Sequence, residues 1–203
     1  MEVYNDYNSD LVTLFKCVKY HCPELQRELS FMLNSREMFN EFKEQYDTNG
    51  LTDIQRSARF FMLIKTSYGS NYKSFGCVKR DILTMIEYLT QIQTRLSNVI
   101  IENKDFEDLI KVYDRQDALF YLDPPYYATE KYYQALFTLE DHYRLYNTLK
   151  DLNGKFILSY NDCKFIRTLY KDFNIMEINR LDNLRVRYEN LDKKYRELII
   201  KNY

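Results

Sequence analysis

The sequence predicts an α/β protein whose sheet is mostly parallel. Short apolar runs typical of strands alternate with longer segments whose apolar residues recur every three or four positions. This alternation favours parallel strands with helices packed on the sheet. The continuous apolarity of one run, residues 118–122, predicts a buried central strand. That strand must stop at Pro124 and Pro125, because proline lacks the amide hydrogen that a sheet ladder needs.

Asp123 is therefore predicted at the carboxyl end of a strand, followed by a stiff loop. In open α/β sheets this edge is where ligands bind. An ordinary strand-ending turn uses the same residue types. Tyr126 and Tyr127 after the prolines, with the apolar run before them, favour a functional site over such a turn.

The composition excludes several classes of protein. The chain has 203 residues and a formal net charge of −1, so any contact with nucleic acid must come from a local basic patch. No apolar run reaches the length that spans a membrane, and the polar N-terminus has no signal-peptide pattern. The four cysteines and two histidines form no metal-ligand spacing. We therefore expect no metal, and reduced thiols in a cytoplasmic protein.

The chain begins with a predicted short strand, within residues 2–8, that ends in polar side chains. Ser9 or Asp10 is predicted to cap the helix that follows. Asp6 and Asn8 suit a turn and an N-cap. An acidic side chain at a strand end can also accept both hydroxyl groups of a ribose. The residues alone leave both interpretations of Asp6 open.

A helical region with a basic window comes next. Apolar spacings of three and four predict helices over residues 23–47 and 81–96, and another that begins at Thr52 or Asp53. Between Asp53 and Asp81 there is no acidic residue, whereas six residues are Lys or Arg.

The basic window has two interpretations. Charge runs are usually solvated faces. Here the charges occur with hydroxyl, amide and aromatic side chains, a mixture typical of surfaces that contact phosphates and stack on bases. The candidate nucleic-acid contacts are Arg59, Lys65, Tyr68, Tyr72, Lys73, Phe75, Lys79 and Arg80.

The second half of the chain again alternates between strands and helices. Asp105 and Phe106 follow a predicted strand, where they could hold an adenine ring or form an N-cap with its hydrophobic staple. The predicted strands cover residues 98–103, 118–122, 155–161, 173–180 and 195–203. The predicted helices begin at Asp105 and cover residues 139–152 and 163–172.

Two stretches of the sequence resemble a known family. Asp123-Pro124-Pro125-Tyr126 after an apolar strand resembles the catalytic motif of the amino-methylating DNA methyltransferases. The wider segments FYLDPPYY and GKFILSYND resemble the N6-adenine DNA methylases, and the resemblance extends over residues 5–203. It implies an incomplete doubly wound, Rossmann-like methyltransferase sheet with a helical insert and an antiparallel final pair of strands.

The resemblance also implies a division of the chain. Residues 1–20 would begin the methyltransferase core, residues 21–97 would form a helical DNA-recognition insert, and residues 98–203 would complete the core. The implied reaction is transfer of a methyl group from S-adenosylmethionine to N6 of an adenine flipped out of double-stranded DNA. N4-cytosine methylation is the alternative reaction, since the same amino-group chemistry uses the same type of motif.

The family motif assigns a role to each matching residue. The Asp123 carboxylate and the Pro124 carbonyl would accept hydrogen bonds from the adenine amine. Pro125 would keep the loop stiff, and Tyr126 would stack on the base. The residues implied in binding the methyl donor are Asp6, Asp105, Phe106 and Asp123.

The sequence departs from the family at one motif. Members carry a strand and a loop of the form Phe-x-Gly-x-Gly that cradles the donor, and the four glycines of this chain form no such loop. Three explanations remain open: a fragment of a methylase, a chain that pairs with a second polypeptide supplying the strand and loop, or a non-catalytic relative that still binds DNA. We expect the isolated chain to bind S-adenosylmethionine weakly or not at all.

Overall fold

The structure, a computed structural model, describes residues 1–77, 81–128, 137–181 and 194–203. These residues form two compact units, Met1–Lys104 and Asp105–Tyr203, each with its own helices and strands. The predicted mixed α/β class is confirmed. The incomplete doubly wound arrangement stays a prediction. Within the described ranges, no helix combines the length and apolarity that crossing a bilayer requires.

The first unit is mainly helical and carries one pair of parallel strands. Strand β1 (Glu2–Asn5) pairs with β2 (Val99–Glu102), with Glu2 opposite Val99. The helices are α1 (Ser9–Tyr20), α2 (Cys22–Ser30), α3 (Arg36–Glu44), α4 (Asp53–Thr66) and α5 (Ile82–Leu96). Their apolar faces meet in one core, in which Leu25, Leu29 and Ala58 are fully buried.

Side-chain caps set where these helices begin. Asn8 caps α1, because its Oδ1 accepts hydrogen bonds from the backbone of Asp10 at 3.0 Å and of Leu11 at 3.2 Å. The prediction of Ser9 or Asp10 as the cap was therefore wrong, since both lie inside the helix, whereas the N-cap interpretation of Asn8 is confirmed. Thr52 caps α4 in a reciprocal capping box with Gln55, as one of the two predicted alternatives had it.

The second unit is a four-stranded sheet with helices. Its strands are β3 (Leu119–Leu122), β4 (Lys155–Asn161), β5 (Asn174–Leu181) and β6 (Lys194–Lys201), in the spatial order β3-β4-β6-β5. β3 and β4 are parallel, whereas β6 runs antiparallel to both β4 and β5. The predicted antiparallel end of the sheet is thus present. The helices are α6 (Phe106–Tyr113), α7 (Leu139–Lys150) and α8 (Lys164–Leu169).

Strand β3 differs from its prediction. It pairs with β4 on one side only among the described residues, so it lies at an edge of this sheet and not at its centre. Successive side chains of a strand point to opposite faces. Phe120 and Leu122 pack against the core, while Leu119 and Tyr121 are 60% and 70% exposed. The apolar run correctly indicated a parallel strand, but only one of its faces is covered.

Candidate active site

Asp123 lies directly after β3, where the neighbouring strand β4 fixes its carboxylate. Leu122 pairs with Leu158, so the next residues along the two parallel strands are Asp123 and Ser159. The Ser159 hydroxyl lies 2.6 Å from Oδ1 of Asp123, and Ser159 is only 4% exposed. Oδ2 of Asp123 has no hydrogen-bond partner in the part of the chain that the structure describes. One carboxylate oxygen is thus held, and the other is available as an acceptor.

The hydroxyl of Tyr126 ties the loop after β3 to strand β6, the second strand along from β3 in the sheet. It donates a short hydrogen bond to Glu197 of β6, a carboxylate that is 3% exposed. Arg180 of β5 donates to the same carboxylate at 2.9 Å and 3.3 Å. Burial, together with the acceptor Glu197, raises the pKa of the Tyr126 phenol far above its usual range. The phenol therefore stays protonated and continues to donate.

Tyr127 completes the attachment of this loop. Its ring stacks on Phe165 with 4.4 Å between centroids and meets the buried His142 edge-on at 5.6 Å. Its carbonyl oxygen accepts a hydrogen bond from Nδ2 of Asn161 at 3.0 Å. His142 is itself held, since its Nδ1 lies 2.7 Å from the hydroxyl of Tyr160. The loop after β3 is thereby held by contacts with β4, α7 and α8, which favours a fixed geometry.

Several of these anchoring residues were missed by sequence reasoning. Ser159 and Asn161 lie in the segment FILSYND, whose polar end was predicted at the edge of Asp123. That position was a sufficient signal for both. Glu197 and Arg180 gave no such signal, because they reach Tyr126 only through the antiparallel pairing of β6 with β4 and β5.

Asp6 lies just after β1, in a turn that its own carboxylate stabilises. Oδ1 accepts from the backbone of Asn8 at 2.8 Å, and Oδ2 accepts from the hydroxyl of Tyr4 at 3.1 Å. Burial first, and Asp6 second, raise the pKa of Tyr4 above its usual range. Since a carboxylate offers about four acceptor positions, Asp6 retains capacity for two further donors. The turn and the ribose interpretation are therefore compatible.

Asp105 and Phe106 are occupied by contacts within their own unit. Asp105 caps α6, and both of its oxygens accept hydrogen bonds from Arg144, at 3.1 Å and 2.8 Å. The Arg144 guanidinium also lies 4.4 Å from the centroid of the Phe106 ring. The predicted N-cap is present, and one face of Phe106 is covered by a cation.

Within the basic window, residues 67–76 after α4 form a loop that backbone hydrogen bonds close. Gly76 donates to the carbonyl of Thr66 at 2.7 Å, and Tyr68 donates to that of Ser74 at 2.8 Å. Tyr72 has a positive φ of 44°, which L-residues rarely adopt. The loop is therefore held in one shape by its own backbone.

The candidate DNA contacts in this window fall into two groups. Lys65, Tyr68 and Lys73 are exposed, whereas Tyr72 and Phe75 are half-buried. The rings of Tyr72 and Phe75 lie 5.9 Å and 5.8 Å from two phenylalanines of the helical core. Arg59 is half-buried on α4, and Lys79 and Arg80 lie outside the described residues. The exposed group can meet a ligand, and the half-buried rings fix the loop.

No group of three or more His, Cys, Asp or Glu side chains in the described ranges could hold a metal ion. Cys17 and Cys22 are buried free thiols, and Cys77 and Cys163 are free thiols with greater exposure.

Comparison with known families shows which family the chain belongs to. The family described as D12 class N6 adenine-specific DNA methyltransferase matches the chain over residues 2–184. The chain belongs to this family. The resemblance drawn from Asp123-Pro124-Pro125-Tyr126 is thus confirmed, and the match includes every predicted site residue, from Asp6 to Tyr126.

Two relatives of the D12 chain are type II methyltransferases. One is M.MjaIII of Methanocaldococcus jannaschii, 26% identical over an alignment of 232 residues that covers 99% of this chain and 80% of the relative. The other is M.CviBI of Paramecium bursaria Chlorella virus NC1A, 24% identical over 221 residues, with 100% of this chain and 81% of the relative covered. The similarity thus extends along the whole chain and not only around the motif.

Proposed function

We propose that this D12 family member transfers a methyl group from S-adenosylmethionine to N6 of an adenine flipped out of double-stranded DNA. The observation that carries the proposal is the geometry of Asp123. Its carboxylate lies directly after β3, with one oxygen held by Ser159 and the other free of any described partner. As in its type II relatives, we infer a DNA-modification role of the restriction-modification type.

The free oxygen of Asp123 suits the chemistry of an exocyclic amine. The nitrogen of that amine is a poor nucleophile, because its lone pair is delocalised into the base. Asp123 and the carbonyl of Pro124 would accept its two hydrogens and would stabilise the positive charge that develops on nitrogen. Pro124 and Pro125 restrict the backbone, so the acceptors need little reorganisation during the reaction.

Tyr126 would stack on the flipped base while its hydroxyl stays on Glu197. Flipping costs a few kcal/mol, and stacking on an aromatic ring returns ~1–3 kcal/mol of it. A ring fixed at its far end loses little freedom when the base arrives. The Glu197 contact therefore supports the proposed stacking role and does not compete with it.

The donor residues differ in how well they fit S-adenosylmethionine, which supplies the transferable methyl group when bound. Asp6 fits, because its carboxylate retains acceptor capacity for the ribose hydroxyls. Asp105 and Phe106 fit less well, since Arg144 occupies the carboxylate and one ring face. Asp123 would not contact the donor itself. It would hold the base whose amine receives the donor's methyl group.

We further propose that a segment outside these 203 residues completes the donor site. The chain has no loop of the form Phe-x-Gly-x-Gly, and one side of β3 has no described partner strand. Leu119 and Tyr121 give that region two exposed apolar side chains. The same observations favour the second candidate function, a non-catalytic DNA-binding or partner subunit.

Contact with DNA in the first unit is assigned to the loop after α4. Lys65 and Lys73 would neutralise phosphates, and Tyr68 offers a ring that is 40% exposed. Tyr72 and Phe75 would keep the loop in shape, with Arg59, Lys79 and Arg80 as further candidate contacts.

Transfer of tritiated methyl groups from S-adenosylmethionine to unmodified duplex DNA tests the proposal. With a Gly-rich segment supplied to complete the donor site, we expect label on N6 of adenine, and its loss in Asp123→Ala. Asp117→Ala is the matched control, because Asp117 is an exposed aspartate just before the same strand. Label on cytosine, or transfer that survives Asp123→Ala, would contradict the mechanism. DNA binding without transfer, even with a Gly-rich segment supplied, would establish the non-catalytic function.

A further inference from the structure

Positive charge is concentrated in a cleft of the second unit. The cleft is open, has a volume of about 1040 Å³, and lies beyond the carboxyl end of β4, beside α8 and the start of β6. Its lining includes the cations Lys164, Arg167, Lys171 and Arg196, but only one acidic residue, Asp162. For a chain with a net charge of −1, this is a strong local excess.

Three of the four cations are available to a ligand. Arg167 is already neutralised, because it binds Asp162 through Nε at 2.6 Å and Nη2 at 2.9 Å, and also pairs with Glu177. The exposed side chains of Lys164, Lys171 and Arg196 make no ion pair with any described residue. The charge of Arg196 helps to lower the pKa of Asp162, but Arg167 has the larger effect.

The cleft adjoins the loop that carries the proposed catalytic motif. β3 and β4 are parallel, so the residues after each strand lie at the same edge of the sheet. Asn161 lines the cleft and also donates a hydrogen bond to the carbonyl oxygen of Tyr127 at 3.0 Å. A ligand in the cleft would therefore lie next to any base held by Asp123 and Tyr126.

We propose that this cleft binds the DNA backbone phosphates that flank the flipped adenine, through Lys164, Lys171 and Arg196. The proposal rests on the proposed function, because a flipped base brings its own flanking phosphates to the edge where the base is held. Cations there would neutralise the phosphate charges, which would otherwise lose contact with water without gaining a positive partner. Tyr195, 39% exposed on the cleft wall, adds an aromatic surface of the kind that nucleic-acid grooves present.

The salt dependence of DNA binding tests the cleft directly. The triple variant Lys164→Gln, Lys171→Gln, Arg196→Gln would be titrated with a pooled-sequence duplex between 50 and 200 mM salt. Each lost phosphate contact lowers the slope of log Kd against log salt by about 0.9. Three contacts lower it by about 2.7, so wild-type binding should weaken about 40-fold more than variant binding over this range.

The control variant removes three cations from the opposite edge of the same sheet. Lys111, Lys150 and Lys155 lie near or at the amino ends of β3 and β4, and their change to Gln alters the net charge equally. We expect the salt slope of this variant to match the wild type. Circular dichroism of both triple variants would verify that each is folded.

The outcomes separate this proposal from the proposed function. An unchanged slope in the cleft variant, or a wild-type chain that binds no DNA, would overturn the cleft assignment. Polyglutamate competing as well as DNA for the wild type would also overturn it, because the site would then be a general polyanion surface. A reduced slope without methyl transfer, even when a Gly-rich segment is supplied, would support the cleft and refute catalysis. Methyl transfer with an unchanged slope would support catalysis and overturn the cleft assignment.

Discussion

The hydrogen bond between Tyr126 and Glu197 gives a prediction that does not depend on activity. Tyr126→Phe keeps the ring and removes only the hydroxyl that donates to a 3% exposed carboxylate. A hydrogen bond to a charged group contributes about 1.5–3 kcal/mol to stability. The free energy of unfolding should therefore fall by about that amount, which is a shift in Tm of roughly 3–12 °C for a chain of this size.

A neighbouring residue provides the matched control. Tyr127→Phe makes the same chemical change one position along, but the Tyr127 hydroxyl has no hydrogen-bond partner among the described residues, and its ring contacts are retained. Its effect should lie within about 0.5 kcal/mol of zero. Scanning calorimetry and urea unfolding of both variants provide the measurement, with the transition of the second unit followed separately if the two units unfold in steps.

The double variant shows whether the charge of Glu197 is responsible. In a Glu197→Gln background, the hydroxyl of Tyr126 would meet a neutral acceptor, which is worth only about 0.5–1.5 kcal/mol. The cost of Tyr126→Phe should shrink accordingly. Equal stability losses in Tyr126→Phe and Tyr127→Phe, or an unchanged cost in the Gln background, would refute the anchoring role of Glu197.

Two further predictions concern the same region. Ser159→Ala should lower the single-turnover rate of methyl transfer roughly 10–100-fold, because Asp123 loses a charge-assisted hydrogen bond of about 1.5–3 kcal/mol, while DNA affinity should stay unchanged. Stability should fall as pH rises above 10, because the unfolded chain then releases phenolic protons that the folded chain still binds. The tyrosines with raised pKa include Tyr4, Tyr72, Tyr126 and Tyr170. Tyr126→Phe should reduce the slope of unfolding free energy against pH there by up to about 1.4 kcal/mol per unit, measured by alkaline unfolding; an identical slope would contradict it.

The sequence was sufficient to place the ends of individual strands. Asp123 could be placed because two prolines must stop a strand, and Asp6 because polar residues follow a short apolar one. Such stops are local, so no knowledge of the partner strands is needed. The parallel relation of β3 and β4 then followed from alternation of elements, and it brings Ser159 to Asp123.

The sequence did not predict which elements pack against each strand. The run Leu119–Leu122 is apolar at every position, and apolarity on both faces predicted burial on both faces. Whether a face is covered depends on the elements packed against it, which a local pattern does not contain. The partner of Tyr126 is likewise set by the register of β6 against β4, because a slip of one residue would turn Glu197 to the other face.

The anchoring of the loop after β3 bears on how donor and base sites depend on each other. Ser159, Asn161 and Glu197, which hold Asp123, Tyr127 and Tyr126, all belong to the second unit. The proposed acceptors for the amine and the proposed ring for the base are therefore held by one set of contacts, without help from the residues around Asp6. Completing the donor site should consequently raise the affinity for S-adenosylmethionine without changing the geometry of Asp123 and Tyr126. A defect in Asp123, Ser159 or Tyr126 should conversely leave donor affinity intact, so that donor binding and catalysis fail separately in this family member.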